Sequence, residues 1–334
     1  MKIGRMKINL TLGIIGLFAA ATVFSQPYQD MPYLQDYADK FELSAENKDL
    51  SLLQVRSDRN KSINILSGGG LYHPWEKNLV RDLRYRPLTD MNIIAFDTYR
   101  DQFVYLTDKA VLSNAWAGKF YVEHHLDKPE HFAMGKDFSF LLAREGKMVY
   151  FKNKEAAWEL SPENFVPVSL LFDADKQSFI VLTSDAIYTI SDTDRKLHKR
   201  FSGKDLTAFS LADNNSRIVV GTNDGILSLD SVSVEDIAPL NNTLPNTQIT
   251  CISEINGRLW FGSARGAFSL RPDGLYDYYA SKRWLVDDKV RDICTGPDHS
   301  VLVLTELGMS KINFVEMTLA GKAEYFQELQ RLRH

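Results

Sequence analysis

Only two cysteines, Cys251 and Cys294, occur in 334 residues, so no disulfide framework supports the chain and its stability has to come from a buried apolar core. The short motifs that announce chemistry are missing as well. There is no Gly-x-Ser-x-Gly elbow, no phosphate loop, no His-Glu-x-x-His and no pair of carboxylates in a setting that would raise a pKa. No excess of basic residues exists either: 39 Lys and Arg stand against 43 Asp and Glu, which argues against nucleic acid or an anionic membrane as partner. Long apolar runs are absent apart from Leu10 to Phe24, which is too short to span a bilayer comfortably. No catalytic residue is nominated, and neither a cofactor nor a bound metal is expected.

The one apolar run has a purpose of its own. Basic Lys2, Arg5 and Lys7 precede it and Val23-Phe24-Ser25 closes it, the layout of a secretory leader over residues 1–25, with a signal anchor as the competing reading. No Cys follows the run, so a lipid anchor is excluded. The expected location is the periplasm or the exterior, without stable membrane insertion once the leader is removed. The remaining chain then carries 36 basic and 43 acidic residues.

What the sequence does contain is a ruler. A small hydroxyl residue, two variable residues and then Gly or Ala before an aliphatic recur at Ser67–Gly70, Thr107–Ala110, Thr183–Ala186, Thr222–Gly225, Ser263–Gly266 and Thr305–Gly308, with a degraded copy at Ala143–Gly146. Successive copies lie 40, 36, 40, 39, 41 and 42 residues apart. Small residues mark sharp turns. The runs between them, such as Ile63–Leu66, Phe179–Leu182, Ile218–Val220 and Val301–Leu304, are short, solid and β-branched, which suits strands buried on both faces. Around Asn256-Gly257 the pattern reads as three antiparallel strands joined by two hairpins. A period of about 40 residues with three or four strands is the signature of a propeller blade. The fold class is therefore all-β, a seven-bladed β-propeller over residues 50–314 with a short C-terminal α-helix over 315–334.

Two of these segments, Arg258-Leu-Trp-Phe-Gly-Ser-Ala-Arg-Gly266 and Arg217-Ile-Val-Val-Gly-Thr-Asn-Asp-Gly225, resemble the two-component regulator propeller repeat. The resemblance implies an extracytoplasmic sensing propeller of the kind that precedes sensor kinases or stands beside catalytic domains in secreted bacterial proteins.

Residues 26–49 are read either as a lead or as a strand that closes the ring from outside, because the last blade runs short of strand-forming sequence after Met309–Phe314. From Thr318, its expected N-cap, Leu319, Ala323, Phe326 and Leu329 fall on one side of an amphipathic helix. That helix is either a rim element or the opening of a further domain.

Binding residues concentrate on connectors. Trp75, Trp116, Tyr276, Tyr278 and Trp284 stand there beside acids and amides and suit stacking against a sugar, although aromatics also pack between sheets. The polar cluster Glu123–His131 matches no closed zinc pattern, and His124 and His125 would point to opposite faces of a strand. Arg81–Arg86 reads as a charged surface turn. Alignment on Gly266 and Gly308 turns Cys251 and Cys294 to different faces, as buried thiols. Three functions follow: a recognition or sensing module for a carbohydrate fragment, the targeting part of a carbohydrate-active enzyme, or a scaffold that holds another protein.

Overall fold

Strand alternation explains the solid apolar runs. Val301 and Val303 enter one buried cluster while Leu302 and Leu304, pointing the opposite way, enter the next. Phe179 and Val181 are divided from Ile180 and Leu182 in the same manner. A sheet buried on both faces cannot stand alone, so neighbours must flank it.

The computed structural model describes residues 30–83, 91–113, 120–229, 234–235 and 243–331. Five four-stranded antiparallel sheets follow one another, starting at Ile93, His131, Pro167, Leu206 and Ile249. An eight-stranded sheet holds the remaining strands. One half contains Leu52–Ser57, Ile63–Ser67, Gly70–Trp75 and Asn78–Arg81; the other contains Val290–Thr295, Val301–Thr305, Gly308–Met317 and Tyr33–Leu43. The halves meet where Glu42 and Leu43 pair in parallel with Asn78 and Leu79.

The first strand of each four-stranded group packs against the first strand of the next, and Val290–Thr295 returns to Leu52–Ser57, so these inner strands form a closed circuit. Among the described residues, seven buried apolar clusters fill the seams between successive groups, and the last of them joins Leu52, Val55 and Leu79 to Cys294, Leu302 and Met309. The arrangement is an all-β propeller.

The recurring corners have a simple chemical cause. Thr107, Thr183, Thr222, Ser263 and Thr305 each donate their hydroxyl to the carbonyl three residues on, at 2.7 to 3.1 Å. At Thr107, Thr183, Thr222 and Ser263 the same oxygen also accepts a backbone N–H of the turn. Gly266 sits at φ +113°, and a Cβ there would come 2.5 Å from the Tyr279 carbonyl oxygen. Asn256 and Gly257 both have positive φ, as a two-residue hairpin of the primed type requires.

Tyr33–Leu43 occupies the outermost position of the last group. Asp39 accepts from Asn313 Nδ2 at 2.8 Å, Leu43 N–H donates to the Leu307 carbonyl at 3.0 Å, and Lys40 reaches the Ser281 carbonyl. The preceding strand extends past Phe314 to Met317, longer than its composition suggests, and the helix begins only at Leu319.

The chain divides into two compact units, Asp36–Phe314 and a smaller one whose described residues are 30–35 and 315–331. In the smaller unit, helix α1 (Leu319–Arg331) starts at Thr318, whose hydroxyl accepts the Gly321 N–H. Asp30 accepts the Leu319 and Ala320 N–H groups, each at 2.8 Å, and these two bonds hold its carboxyl below the usual aspartate value. Leu319 and Phe326 are about half exposed. The leader of residues 1–25 lies outside the described residues.

Candidate functional site

The circuit of inner strands surrounds a cavity of about 730 Å³. Its wall is made by the inner strands of six of the seven groups and by the turns that follow them at Asp58, Arg59, Asp101 and Pro297. Small hydroxyl residues, among them Thr98, Ser169, Thr207, Ser210, Thr250 and Ser253, alternate there with charges. Some of these groups stitch neighbouring strands together. Thr207 Oγ1 donates to the Ile249 carbonyl at 2.6 Å and Thr250 Oγ1 to the Val290 carbonyl at 2.9 Å, while Gln54 Oε1 accepts the Phe96 N–H at 3.0 Å.

The charged feature of the wall is Arg56 between two aspartates. Its Nε donates to Asp97 Oδ1 at 3.0 Å, and its Nη1 donates to Asp292 Oδ2 at 2.5 Å and to the Val55 carbonyl at 2.6 Å. Asp292 Oδ2 also accepts the Val55 N–H at 2.9 Å, and its Oδ1 accepts the Ile293 N–H at 3.0 Å. Asp97 Oδ1 takes the Thr98 N–H as well. Burial works against the charge on Arg56, but Asp292 and Asp97 outweigh it and raise the guanidinium pKa further. Burial pushes Asp292 up, with Arg56 and the Val55 amide pulling the other way. Among the described residues Arg56 Nη2 and Asp97 Oδ2 make no hydrogen bond to the protein, and both residues line the cavity.

Both thiols belong to this wall, and both are free. Cys251 fits against Gly262, where a Cβ would approach its sulfur to 2.4 Å, and packs into the cluster containing Val290. Cys294 belongs to the next seam, with Leu52 and Val55. Burial drives both thiol pKa values well above the usual cysteine range, so neither supplies a thiolate near neutrality. Among the described lining residues there is no histidine.

The sequence-nominated aromatics are not gathered into this cavity. Trp75 ends a strand of the first group and is 63% exposed. Tyr276 and Tyr278 stand on the outermost strand of the sixth group, and Trp284 follows it. Tyr276 packs edge-on against Phe268 at 5.4 Å with its hydroxyl buried, which raises its pKa to about 12. Tyr278 is 43% exposed and donates its hydroxyl to the Arg265 carbonyl. Trp284 is half-buried beside Tyr279, with Arg283 over its ring at 4.4 Å. The rings of Tyr276 and Trp284 thus also take part in packing, against Phe268 and Tyr279. Trp116 lies outside the described residues.

In the Glu123–His131 stretch, His124 is buried with Nε2 at 3.0 Å from the Thr107 carbonyl oxygen, whereas His125 is exposed. Asp82 is buried rather than part of a solvated surface turn, and residues 84–86 lie outside the described set. Sequence reading missed Arg56, Asp97 and Asp292. The available signal was a charge inside an otherwise apolar inner strand, as in Val290-Arg-Asp-Ile293.

No family model matches the sequence, and no curated protein matches it either. Solved structures do resemble it in shape. A streptogramin B lyase superimposes with a TM-score of 0.65 at 13% identity, over 84% of this chain and 98% of that one. The extracellular domain of a hybrid two-component system from B. thetaiotaomicron gives 0.64 at 15% identity, over 83% of this chain but only 39% of that one. The WD40 domain of Neurospora crassa Pan2 gives 0.60 at 13% identity, over 82% and 93%. At such identities the shared property is the propeller fold. Among the described residues no helix is long and apolar enough to cross a membrane.

Proposed function

We propose that this chain is a non-catalytic, extracytoplasmic recognition propeller that takes a small polar ligand, a fragment of a glycan, into its axial cavity. The carrying observation is the cavity itself. At about 730 Å³ it falls within the size range of small-molecule sites, and its wall combines hydroxyls with compensated charges. The same wall supports a binding rather than a catalytic role. Burial keeps its thiols protonated, and its partly buried Arg56 guanidinium is paired with two carboxylates. The leader pattern of residues 1–25 and the likeness in fold to an extracellular sensor domain support the location.

A partner protein is the second reading, favoured by the exposed ring of Trp75. A glycan array followed by titration calorimetry separates the two when run on the wild type, a Ser253→Trp variant that fills the cavity and a Trp75→Ala variant. The proposal expects oligosaccharide binding that Ser253→Trp abolishes and Trp75→Ala leaves within about twofold. Binding lost only with Trp75 would move the site to the rim and overturn it.

A further inference from the structure

The contact between Arg56 and Asp97 is one-sided, and this leaves a particular chemical question in the wall of the cavity. A guanidinium and a carboxylate that meet edge to edge share two parallel hydrogen bonds. Here only Nε to Oδ1 is formed, at 3.0 Å, because Oδ1 is also held by the Thr98 N–H at 2.8 Å and Nη1 is turned to Asp292 and the Val55 carbonyl. The remaining donor, Nη2, and the remaining acceptor, Oδ2, belong to the same pair of side chains, and both residues line the cavity. Asp97 is 40% exposed at its side chain and Arg56 22%, so the pair is reachable yet fixed by its other bonds.

The ligand group that satisfies a donor and an acceptor side by side must itself both accept and donate. A hydroxyl does so, and two adjacent hydroxyls can take one partner each. A carboxylate would accept from Nη2 but meet the negative charge of Asp97, and an ammonium would donate to Oδ2 but meet Arg56. Among the other described charges on the wall, Asp58, Asp101 and Asp292 outnumber Arg59 and Arg291, which weighs further against an acidic ligand. Hydroxyl side chains of Ser169, Ser210 and Ser253 elsewhere on the wall match the same neutral, polyhydroxylated character.

Resting on the reading that the axial cavity binds a glycan fragment, we infer that Arg56 and Asp97 together read a hydroxyl pair of a neutral sugar, and that acidic and amino sugars are rejected at this point. Arg56 supplies Nη2 as donor and Asp97 supplies Oδ2 as acceptor, while Asp292 positions the guanidinium without touching the ligand.

The test uses the full chain, four neutral probes (cellobiose, xylobiose, mannobiose and galactobiose) and two charged ones (galacturonate and glucosamine), read by saturation-transfer NMR and calorimetry. The expected result is binding of at least one neutral disaccharide, with Asp97→Asn and Arg56→Lys each weakening it about tenfold or more through loss of a charge-assisted or fork-shaped bond. Removing one hydroxyl from the bound sugar should weaken the wild type by a similar factor and leave Asp97→Asn nearly unchanged. Melting curves of both variants guard against loss of fold, and Asp97→Asn, which keeps shape and size, decides the matter if Arg56→Lys unfolds. If Ser253→Trp abolishes binding while Asp97→Asn stays within twofold, the cavity reading stands and this inference falls. Tighter binding of galacturonate or glucosamine than of every neutral sugar, or no binding by any probe, also overturns it.

Discussion

Two seams of the ring solve the same packing problem by different means. Between the sixth and seventh groups the contact runs through Cys251, Gly262 and Val290, with a hydroxyl bond from Thr250 to the Val290 carbonyl. Between the seventh and the first, Asp292 receives both the Val55 N–H and the Arg56 guanidinium, and at the surface Lys61 reaches Asp298 at 2.6 Å. The first seam joins segments about 40 residues apart, which the covalent chain already keeps close. The second joins residues 236 and 237 positions apart, for which the loop-closure cost is greater and many wrong registers compete. A buried ion pair adds little net stability but penalises every arrangement that leaves it unpaired. The closing seam is thus specified by charge, the interior seam by shape.

Removing the closing strand should produce the largest effect. A chain beginning after Leu43 loses the outermost strand of the last group, and its melting temperature should drop by roughly 10 °C or more, with a broadened calorimetric transition. A sharp transition at the wild-type temperature would show that closure does not depend on Tyr33–Leu43.

Next in size is Asp292→Ala, which leaves the partly buried guanidinium with Asp97 as its one carboxylate partner and should cost about 3 kcal/mol in urea unfolding. Its counterpart across the other seam, Thr250→Val, should cost only ~1 kcal/mol. Equal costs would remove the distinction drawn between the two seams.

Gly262→Ala should destabilise by ~1–3 kcal/mol, since its new methyl meets the Cys251 sulfur at 2.4 Å and Val290 at 2.6 Å. Combining it with Cys251→Ala should recover part of that loss, because one of the two clashes is gone. Strict additivity of the two changes would mean that they do not share the space.

The smallest effect concerns Asp30. Its carboxyl is held below the ordinary value by the two N–H groups of helix α1, so its contribution is complete above about pH 4 and is lost as pH falls through the lowered folded value. Helicity measured by circular dichroism should therefore differ between wild type and Asp30→Asn at neutral pH, and the difference should shrink as pH falls through that lowered value.

The corners of this fold were legible because their chemistry is local: Thr305 and Gly308 carry the instruction within four residues. The outermost strands were far less legible. Glu155–Leu160 and His198–Ser202 are mostly exposed, so burial imposes little apolar pattern on them. The site was hidden for another reason. Arg56 meets Asp292 only when the first and last groups close and meets Asp97 only when the first two groups pack, and neither meeting is encoded in the residues beside them. The packing of Tyr276 and Trp284 was not legible either, because an aromatic ring reads the same in sequence whether it faces solvent or the next sheet.

The pairing of Tyr33–Leu43 with the last group also sets an order of events at the ribosome. The strand is made first, but its neighbour Gly308–Met317 emerges some tens of seconds later at typical elongation rates. Throughout that interval the nascent polypeptide carries an edge with no permanent mate, and the guanidinium of Arg56 waits for Asp292. Ring closure therefore waits for Gly308–Met317, and any delay in making that strand prolongs the time during which a stray strand could be captured in its place.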